Sequence, residues 1–239
     1  LILALSAKGY NNSANPIESG ESFFIKRFLS KKDIKLCIDV GANNGSYSLQ
    51  LLKDTKAKVI SFEPLPFMYD EMLKNLQKYK NRCIFVNKSL GIKSEEKIIH
   101  FSYEASAHAS LSEEVKKIDY IENNNYMKID VTSIDDYCSE HNIKHIDFIK
   151  IDTEGYEKEV IEGAKYTIEF VKPKYIQIEF NWHQLFRNSS IYFFSEKLKN
   201  YNVYQLTYNS MRKVNPKNPL SNIYLFSNFI FVRKDIFIN

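Results

Sequence analysis

The chain contains no run of the roughly 18 to 20 apolar residues that a membrane-crossing helix needs. Its opening Leu1-Ile2-Leu3-Ala4-Leu5 breaks off within a few residues. Cysteine is sparse: Cys37, Cys83 and Cys138 form no metal-type pair at short spacing, and three thiols cannot all pair within one chain. Free thiols in a reducing compartment, and so a cytoplasmic location, are expected, although the chain opens at Leu1 without methionine and leaves room for an upstream segment. There is no long basic block either. The 33 Lys and Arg are interspersed with 29 Asp and Glu for a net charge of +4, which gives little support to a nucleic-acid partner without excluding one. Internal repeats, heptads and low-complexity tracts are also missing.

What remains is the composition of an ordinary globular protein, with 44% hydrophobic and 26% charged residues over 239 positions. That length suits one large α/β domain spanning residues 1–239. The run Leu36-Cys37-Ile38 with Val40 ends at Gly41 and gives way to a helical pattern from Ser46 to Lys53, which predicts strand, glycine turn, helix. A second strand, Lys58 to Phe62, meets Glu63-Pro64. Pro66 then sits where a helix can begin, with Met68, Met72 and Leu76 on one face. Cys83 to Val86 reads as a third strand and Phe148 to Ile151 as a fourth.

Val160, Ile161, Ala164 and Ile168 keep helical spacing until Pro173, just before a fifth strand from Tyr175 to Ile178. This alternation predicts parallel strands joined by crossover helices. Between strands three and four, Lys97 to Tyr103 and Met127 to Val131 suggest an inserted hairpin or flap, residues 97–131, around a polar stretch. Residues 1–34 read as a helical or loop extension. Val203 to Tyr208 and Phe229 to Arg233, separated by a loop containing Pro216 and Pro219, are expected to complete the sheet.

Asp39-Val40-Gly41-Ala42-Asn43-Asn44-Gly45 places small residues at the end of the first strand, where an open α/β sheet forms its ligand crevice. Asp39 beside that turn suits a ligand carrying ammonium and sulfonium charge and is out of place beside a pyrophosphate. Glu63, at the end of the second strand, can accept hydrogen bonds from both hydroxyls of a ribose. Taken singly, each feature also fits a tight structural turn.

The match extends further. Ile38-Asp39-Val40-Gly41-Ala42-Asn43-Asn44-Gly45, Phe62-Glu63-Pro64, Asn87-Lys88-Ser89-Leu90-Gly91, Ile149-Lys150-Ile151-Asp152-Thr153-Glu154-Gly155-Tyr156-Glu157, Gly163-Ala164, and Lys172-Pro173-Lys174 followed by Ile178-Glu179 occur in the order of the FkbM methyltransferases. The sequence resembles that family over roughly Lys35 to Asn181. The resemblance implies an α/β, Rossmann-like class I methyltransferase fold with a mostly parallel seven-stranded sheet, helices on both faces and the inserted hairpin. It implies S-adenosylmethionine as cofactor. Asp39, Gly41, Ala42, Asn43 and Gly45 would hold its methionine part, Glu63-Pro64 the ribose, and Ser89-Leu90 the adenine. Family members commonly methylate hydroxyls of sugars and natural products, so a small-molecule or glycan acceptor is expected.

Methyl transfer from a sulfonium is an in-line displacement, so an oxygen must be held behind the methyl carbon while its proton departs. Asp152 ends the fourth strand and is the first choice for orienting acceptor or cofactor. Glu154 follows it as a second candidate, while Glu157 reads as a complement to the next helix dipole. Lys150 shares the face of Asp152 and suits a structural ion pair. Glu179 closes the fifth strand ahead of Asn181-Trp182-His183, which adds an aromatic surface and an imidazole. Of the five histidines, His183 and His108, in Ser106-Ala107-His108-Ala109-Ser110, are the candidate bases; His100, His141 and His145 rank below them.

Asp152, Glu179 and His183 could together ligate magnesium, but they come from different strands without diagnostic spacing, and no metal is assigned. A nicotinamide-dependent oxidoreductase or epimerase would need a tighter glycine pattern than Gly41 and Gly45. An RNA methyltransferase would share the cofactor site, but the basic residues form only short groups, Lys31-Lys32, Lys116-Lys117 and Arg212-Lys213 with Lys217.

Overall fold

The computed structural model describes residues 2–10, 13, 15–103, 108–114, 118 and 123–238. Ser106, Ala107, Lys116 and Lys117, singled out above, lie outside these. The N-terminal segment carries α1 (Ile2–Ala7) and α2 (Glu21–Arg27). There follow β1 (Leu36–Val40), α3 (Ser46–Asp54), β2 (Lys58–Phe62), α4 (Pro66–Asn75) and β3 (Cys83–Val86). Pro66 opens α4, where its missing N–H is not needed.

Next come β4 (Ser89–Leu90), β5 (Glu95–Phe101) and β6 (Asn125–Thr132), which form a separate three-stranded sheet in the order β4-β6-β5. β5 and β6 pair antiparallel. The chain continues through α5 (Ile134–Glu140), capped by Ser133 Oγ accepting from Asp136 N–H at 2.9 Å, to β7 (Phe148–Ile151), α6 (Glu157–Glu162) and β8 (Tyr175–Phe180). α7 (His183–Phe186), α8 (Ile191–Lys197), β9 (Tyr201–Thr207), β10 (Ser210–Lys213) and β11 (Ser227–Arg233) complete it.

The main sheet has the order β10-β9-β11-β8-β7-β1-β2-β3. β3, β2, β1, β7 and β8 are parallel neighbours, and β11 runs antiparallel between β8 and β9. The expected strands are therefore joined by an eighth, β10, in a stretch read as loop. It hairpins onto β9 with Ser210 opposite Thr207, so its stability comes from that pairing and not from a pattern of its own. Arg212 and Lys213 put charge on this edge, which discourages further strand addition.

A second departure concerns the helix expected to run through Ile168. α6 ends at Glu162, and Thr167–Val171 forms a separate π-helical turn. At the break, a Cβ on Gly163 would sit 1.9 Å from the Gly91 carbonyl oxygen, so the chain crosses there as bare backbone. The Asp135 carboxylate then accepts from the N–H groups of Tyr166 and Thr167, each at 2.8 Å, and restarts the turn.

Strand parity separates the two faces. Ile38, Ile60, Ile149 and Ile176 pack with Tyr137, Val160 and Phe194 of α5, α6 and α8. Cys37, Val59, Phe148 and Tyr175 pack on the other side with Phe24, Leu51 and Met72 of α2, α3 and α4. Burying a Phe or Ile of this kind contributes roughly 1.5–3 kcal/mol. No described helix is long and apolar enough to cross a membrane.

Candidate active site

β1 lies where the chain order reverses, with β2 on one side and β7 on the other, and such a switch point opens a crevice at the carboxyl ends of the strands. Register makes the ends coincide. Val40 is paired with Phe62 and with Ile151, and Ile151 with Ile178. The residues next after this row are Gly41, Glu63, Asp152 and Glu179. All four line one cavity of about 570 Å³, together with Ala42, Asn43, Pro64, Ser89, Leu90, Glu154, His108 and His183. That volume falls in the range of pockets that bury a small organic ligand.

The turn after β1 is built for close approach. Gly41, Asn43 and Gly45 have φ of 79°, 50° and 81°, and a Cβ on Gly41 would stand 1.8 Å from the carbonyl oxygen of Asp152. Glu63 supports the turn from β2: its Oε2 accepts from Asn43 N–H at 2.8 Å and its Oε1 from Leu65 N–H at 2.9 Å. Burial pushes the Glu63 carboxyl up to about 7 against those two hydrogen bonds. Each of its oxygens keeps a lone pair for a further donor.

Two expected contact residues do not line the cavity. Asp39 is fully buried beneath it, accepting from Ser48 Oγ at 2.6 Å with Lys150 Nζ 3.9 Å away. Strand parity turns its side chain toward α3. Gly45 faces Met72 of α4 and Leu76 just past its end, with which a Cβ would collide at 2.9 and 3.0 Å, so its missing side chain serves helix packing.

The opposite wall is acidic. Asp152, Glu154 and Glu179 each bring a carboxylate oxygen within 4.8 Å of the others. Lys150 Nζ donates to Asp152 Oδ2 at 2.8 Å and lies over the Tyr47 ring, 4.7 Å from its centroid. Burial lowers the proton affinity of Lys150, but Asp152, Asp39 and Glu21 together outweigh this and raise it. Burial and neighbouring carboxylates hold Glu154 and Glu179 well above the ordinary carboxylate range. Glu154 also adopts φ 51° ahead of Gly155 at 98°, a left-handed turn braced by Ser110 Oγ donating to the Glu154 carbonyl at 2.6 Å.

His183 is 2% exposed, and its Nδ1 lies 3.1 Å from Glu154 Oε2 but off the line of a hydrogen bond, so neither ring nitrogen has a hydrogen-bond partner. Burial, with His108 adding to it, lowers its pKa to about 4, so the imidazole is neutral. His108, from the segment after β5, reaches the same cavity. The other histidines lie elsewhere: His145 is 2.9 Å from Asp147, His141 stacks on Tyr137, and His100 bridges Ser110 through its backbone. Glu157 is buried in the turn it caps, accepting from Thr153 N–H at 2.9 Å and from Gln184 Nε2 at 2.7 Å.

Sequence reasoning missed the network beneath the acids. Tyr47 donates to Gln177 Oε1 at 2.6 Å, and Gln177 Nε2 donates to Glu21 Oε1 at 2.8 Å. Glu21 belongs to α2 and lines the cavity, although nothing in the first 30 residues marks it. Asn181 carried a signal in its place two residues after Glu179. Its Nδ2 donates to Glu179 Oε1 at 3.0 Å, and its Oδ1 accepts from His183 N–H at 2.9 Å.

Residues 39–205 match the model of the methyltransferase FkbM domain. The chain belongs to the FkbM methyltransferase family. It is a methyltransferase whose cofactor is S-adenosylmethionine, and the glycine turn, the acid at the tip of β2 and a cavity of about 570 Å³ fit that group. Among curated relatives, the 2-O-methyltransferase NoeI of Sinorhizobium fredii is 24% identical over 170 residues, 66% of this chain and 68% of its own. Among solved structures, an O-methyltransferase from Bacillus cereus in complex with SAH superposes with a TM-score of 0.50 at 12% identity, covering 98% of this chain and 89% of that one. The METTL16 methyltransferase domain gives 0.53 at 9% identity, covering 92% and 69%. At such identities the two structures speak to fold alone.

Proposed function

We propose that this FkbM methyltransferase is an O-methyltransferase acting on a hydroxyl of a sugar, a glycan or a natural-product small molecule. The observation that carries the reading is the joining of two walls in one cavity: Gly41 and Glu63 on one side, and on the other Asp152, Glu154 and Glu179 around the neutral imidazole of His183. The naming of NoeI as a 2-O-methyltransferase supports the oxygen acceptor.

When bound, S-adenosylmethionine supplies a methyl carbon made electrophilic by its sulfonium. In the proposed arrangement the Gly41-Ala42-Asn43 turn receives the methionine part, Glu63 accepts the ribose hydroxyls beside Pro64, and Ser89 with Leu90 flanks the adenine. Asp39 acts from below by holding Lys150 and Ser48, and Gly45 by letting α4 approach.

The acidic wall orients the acceptor hydroxyl and takes its proton. Burial here inverts the usual order of base strength: His183 is lowered to about 4 while Glu154 and Glu179 are raised. Base strength follows proton affinity, which burial takes from the imidazole and adds to the carboxyls, so a glutamate is the stronger candidate and His183 positions the hydroxyl. Trp182, exposed at the cavity edge, offers an aromatic surface of the sort that sugars stack against.

The test is a screen with isotopically labelled methyl donor against glycans, polyketide-like alcohols, small phenols and RNA, read by mass. Label on the oxygen of an alcohol is the expected result. Label found solely on RNA or on nitrogen would overturn the proposal.

A further inference from the structure

A donor that carries an ammonium group calls for a carboxylate, and the acid that the sequence points to, Asp39, lies beneath the cavity with Ser48 and Lys150 as its partners. Glu21 lines the cavity instead. It belongs to α2, outside the residues 39–205 that match the family model. Its neighbours in the wall are Asn44, Ser46, Tyr47 and Gln50, from the end of the glycine turn and the first turns of α3. Glu63 ends β2 on one side of β1, and Gln177, to which Glu21 is bound, belongs to β8 on the other. A ligand arm that leaves Glu63 and crosses the Gly41 turn therefore runs toward Glu21.

The fold fixes this carboxylate in place. Gly20, with φ 84°, precedes α2, and a Cβ there would stand 2.3 Å from the Thr207 carbonyl oxygen, so the helix starts as bare backbone against β9. Gln50 Nε2 donates to Ser22 Oγ at 2.9 Å and ties α2 to α3. Ser19 Oγ donates to Glu21 Oε2 at 3.0 Å, and Gln177 Nε2 donates to Glu21 Oε1 at 2.8 Å. The Tyr47 hydroxyl, donating to Gln177 Oε1, orients that amide so that its nitrogen faces Glu21.

Both of those donors are neutral. Glu21 is 8% exposed and takes part in no ion pair among the described residues, since Lys150 is held by Asp152 at 2.8 Å and lies 3.9 Å from Asp39. A buried carboxylate with no cation in contact is costly, and burial raises the proton affinity of Glu21 against the pull of Lys150. Each of its oxygens keeps a lone pair. The sulfonium of the donor has no N–H to offer, so the ammonium is the one cationic group there that can hydrogen-bond to a carboxylate. We infer that Glu21 receives the ammonium of the donor's methionine part, in the role that the sequence suggests for Asp39. The inference rests on the donor placement of the proposed function, and it makes the N-terminal segment a part of the donor site.

The test is calorimetric binding of three ligands that share the nucleoside to the full chain. They are S-adenosylhomocysteine, its keto-acid analogue, in which a keto oxygen replaces the ammonium, and methylthioadenosine, which lacks the whole amino-acid end. The unaltered protein should bind S-adenosylhomocysteine about tenfold or more tightly than the keto-acid analogue, as a hydrogen bond between charged groups warrants. Glu21→Gln keeps the shape and removes the charge. It should weaken S-adenosylhomocysteine by a similar factor and weaken neither of the other two.

Equal weakening of all three ligands by Glu21→Gln, or equal affinity of the unaltered protein for S-adenosylhomocysteine and the keto-acid analogue, overturns the assignment. If Glu21→Gln does not fold, Glu21→Asp decides, since it keeps the charge but draws it back by one methylene. A loss confined to S-adenosylhomocysteine then supports the contact, and a loss shared by all three refutes it. Glu63→Gln separates this inference from the donor placement. Weakening of all three ligands by Glu63→Gln and of none by Glu21→Gln refutes the ammonium contact alone. Weakening of S-adenosylhomocysteine alone by Glu21→Gln, with Glu63→Gln without effect, supports the contact and refutes the ribose placement.

Discussion

Acidification separates two consequences of burying Glu63. In the free protein its carboxyl is raised from 4.5 to about 7, because burial outweighs the hydrogen bonds from Leu65 and Asn43. A folded-state pKa above the unfolded one stabilises the fold at low pH, fully below about 4.5, and this contribution is lost as pH rises through about 7. The shift corresponds to about 3 kcal/mol at most. Donor binding has the opposite sign, because ribose hydroxyls donate to the carboxylate and so require the ionised form.

About one pH unit below its pKa, roughly one Glu63 in eleven is ionised, so donor affinity falls about tenfold, or about 1.4 kcal/mol. Calorimetry with S-adenosylhomocysteine in buffers of different ionisation enthalpy reads both the affinity and the linked proton. Near and below pH 7, binding should release up to one proton per chain, and Glu63→Gln should bind more weakly with the slope removed. Affinity independent of pH, or an unchanged slope in Glu63→Gln, would refute the ribose role assigned to this residue.

Gly41→Ala should destabilise the fold by more than about 2 kcal/mol in urea titration, because its Cβ meets backbone at 1.8 Å, whereas Gly45→Ala meets movable Met72 and Leu76 side chains and should cost less. The reverse order would contradict the tip geometry. Lys150→Met leaves Asp39 and Asp152 without their cation and should cost about 3–5 kcal/mol. That loss should be larger at alkaline than at acidic pH, since the orphaned Asp39 carboxyl, already raised by burial, can take up a proton on the acidic side, and urea titration at both pH values reads the difference. Tyr47→Phe removes the donor to Gln177 and should cost about 1–3 kcal/mol, with a smaller effect on donor affinity than Glu63→Gln in the same calorimetry.

Much of the fold was legible because its signals are local. β1, β2, β3, β7 and β8 are short apolar runs, and Gly41, Pro64 and Pro173 mark where they end or begin. β10 was not legible, since Ser210–Lys213 forms a strand only by pairing with β9. Nor was the break at Gly163, which depends on the Gly91 carbonyl, a neighbour distant in sequence. Within the site, the tips Glu63, Asp152 and Glu179 follow from strand ends. Asp39 misled because proximity to a glycine turn was read as access to the crevice, whereas parity turns it under α3. Glu21 was invisible, as α2 reaches the cavity through tertiary packing alone.

The same parity links stability to chemistry. Ser61, Asp39, Lys150 and Gln177 are register neighbours across four strands, two residues before the row of Glu63, Gly41, Asp152 and Glu179. Residues two apart on a strand share a face, so the buried polar row underlies the cavity row. Lys150 joins the rows through Asp152 above and Asp39 beside it. The lower row therefore sets the field felt by the acids above without touching a ligand. With one lysine facing Glu21, Asp39 and Asp152, that field stays negative, and it favours a cationic donor over the pyrophosphate that this topology so often holds.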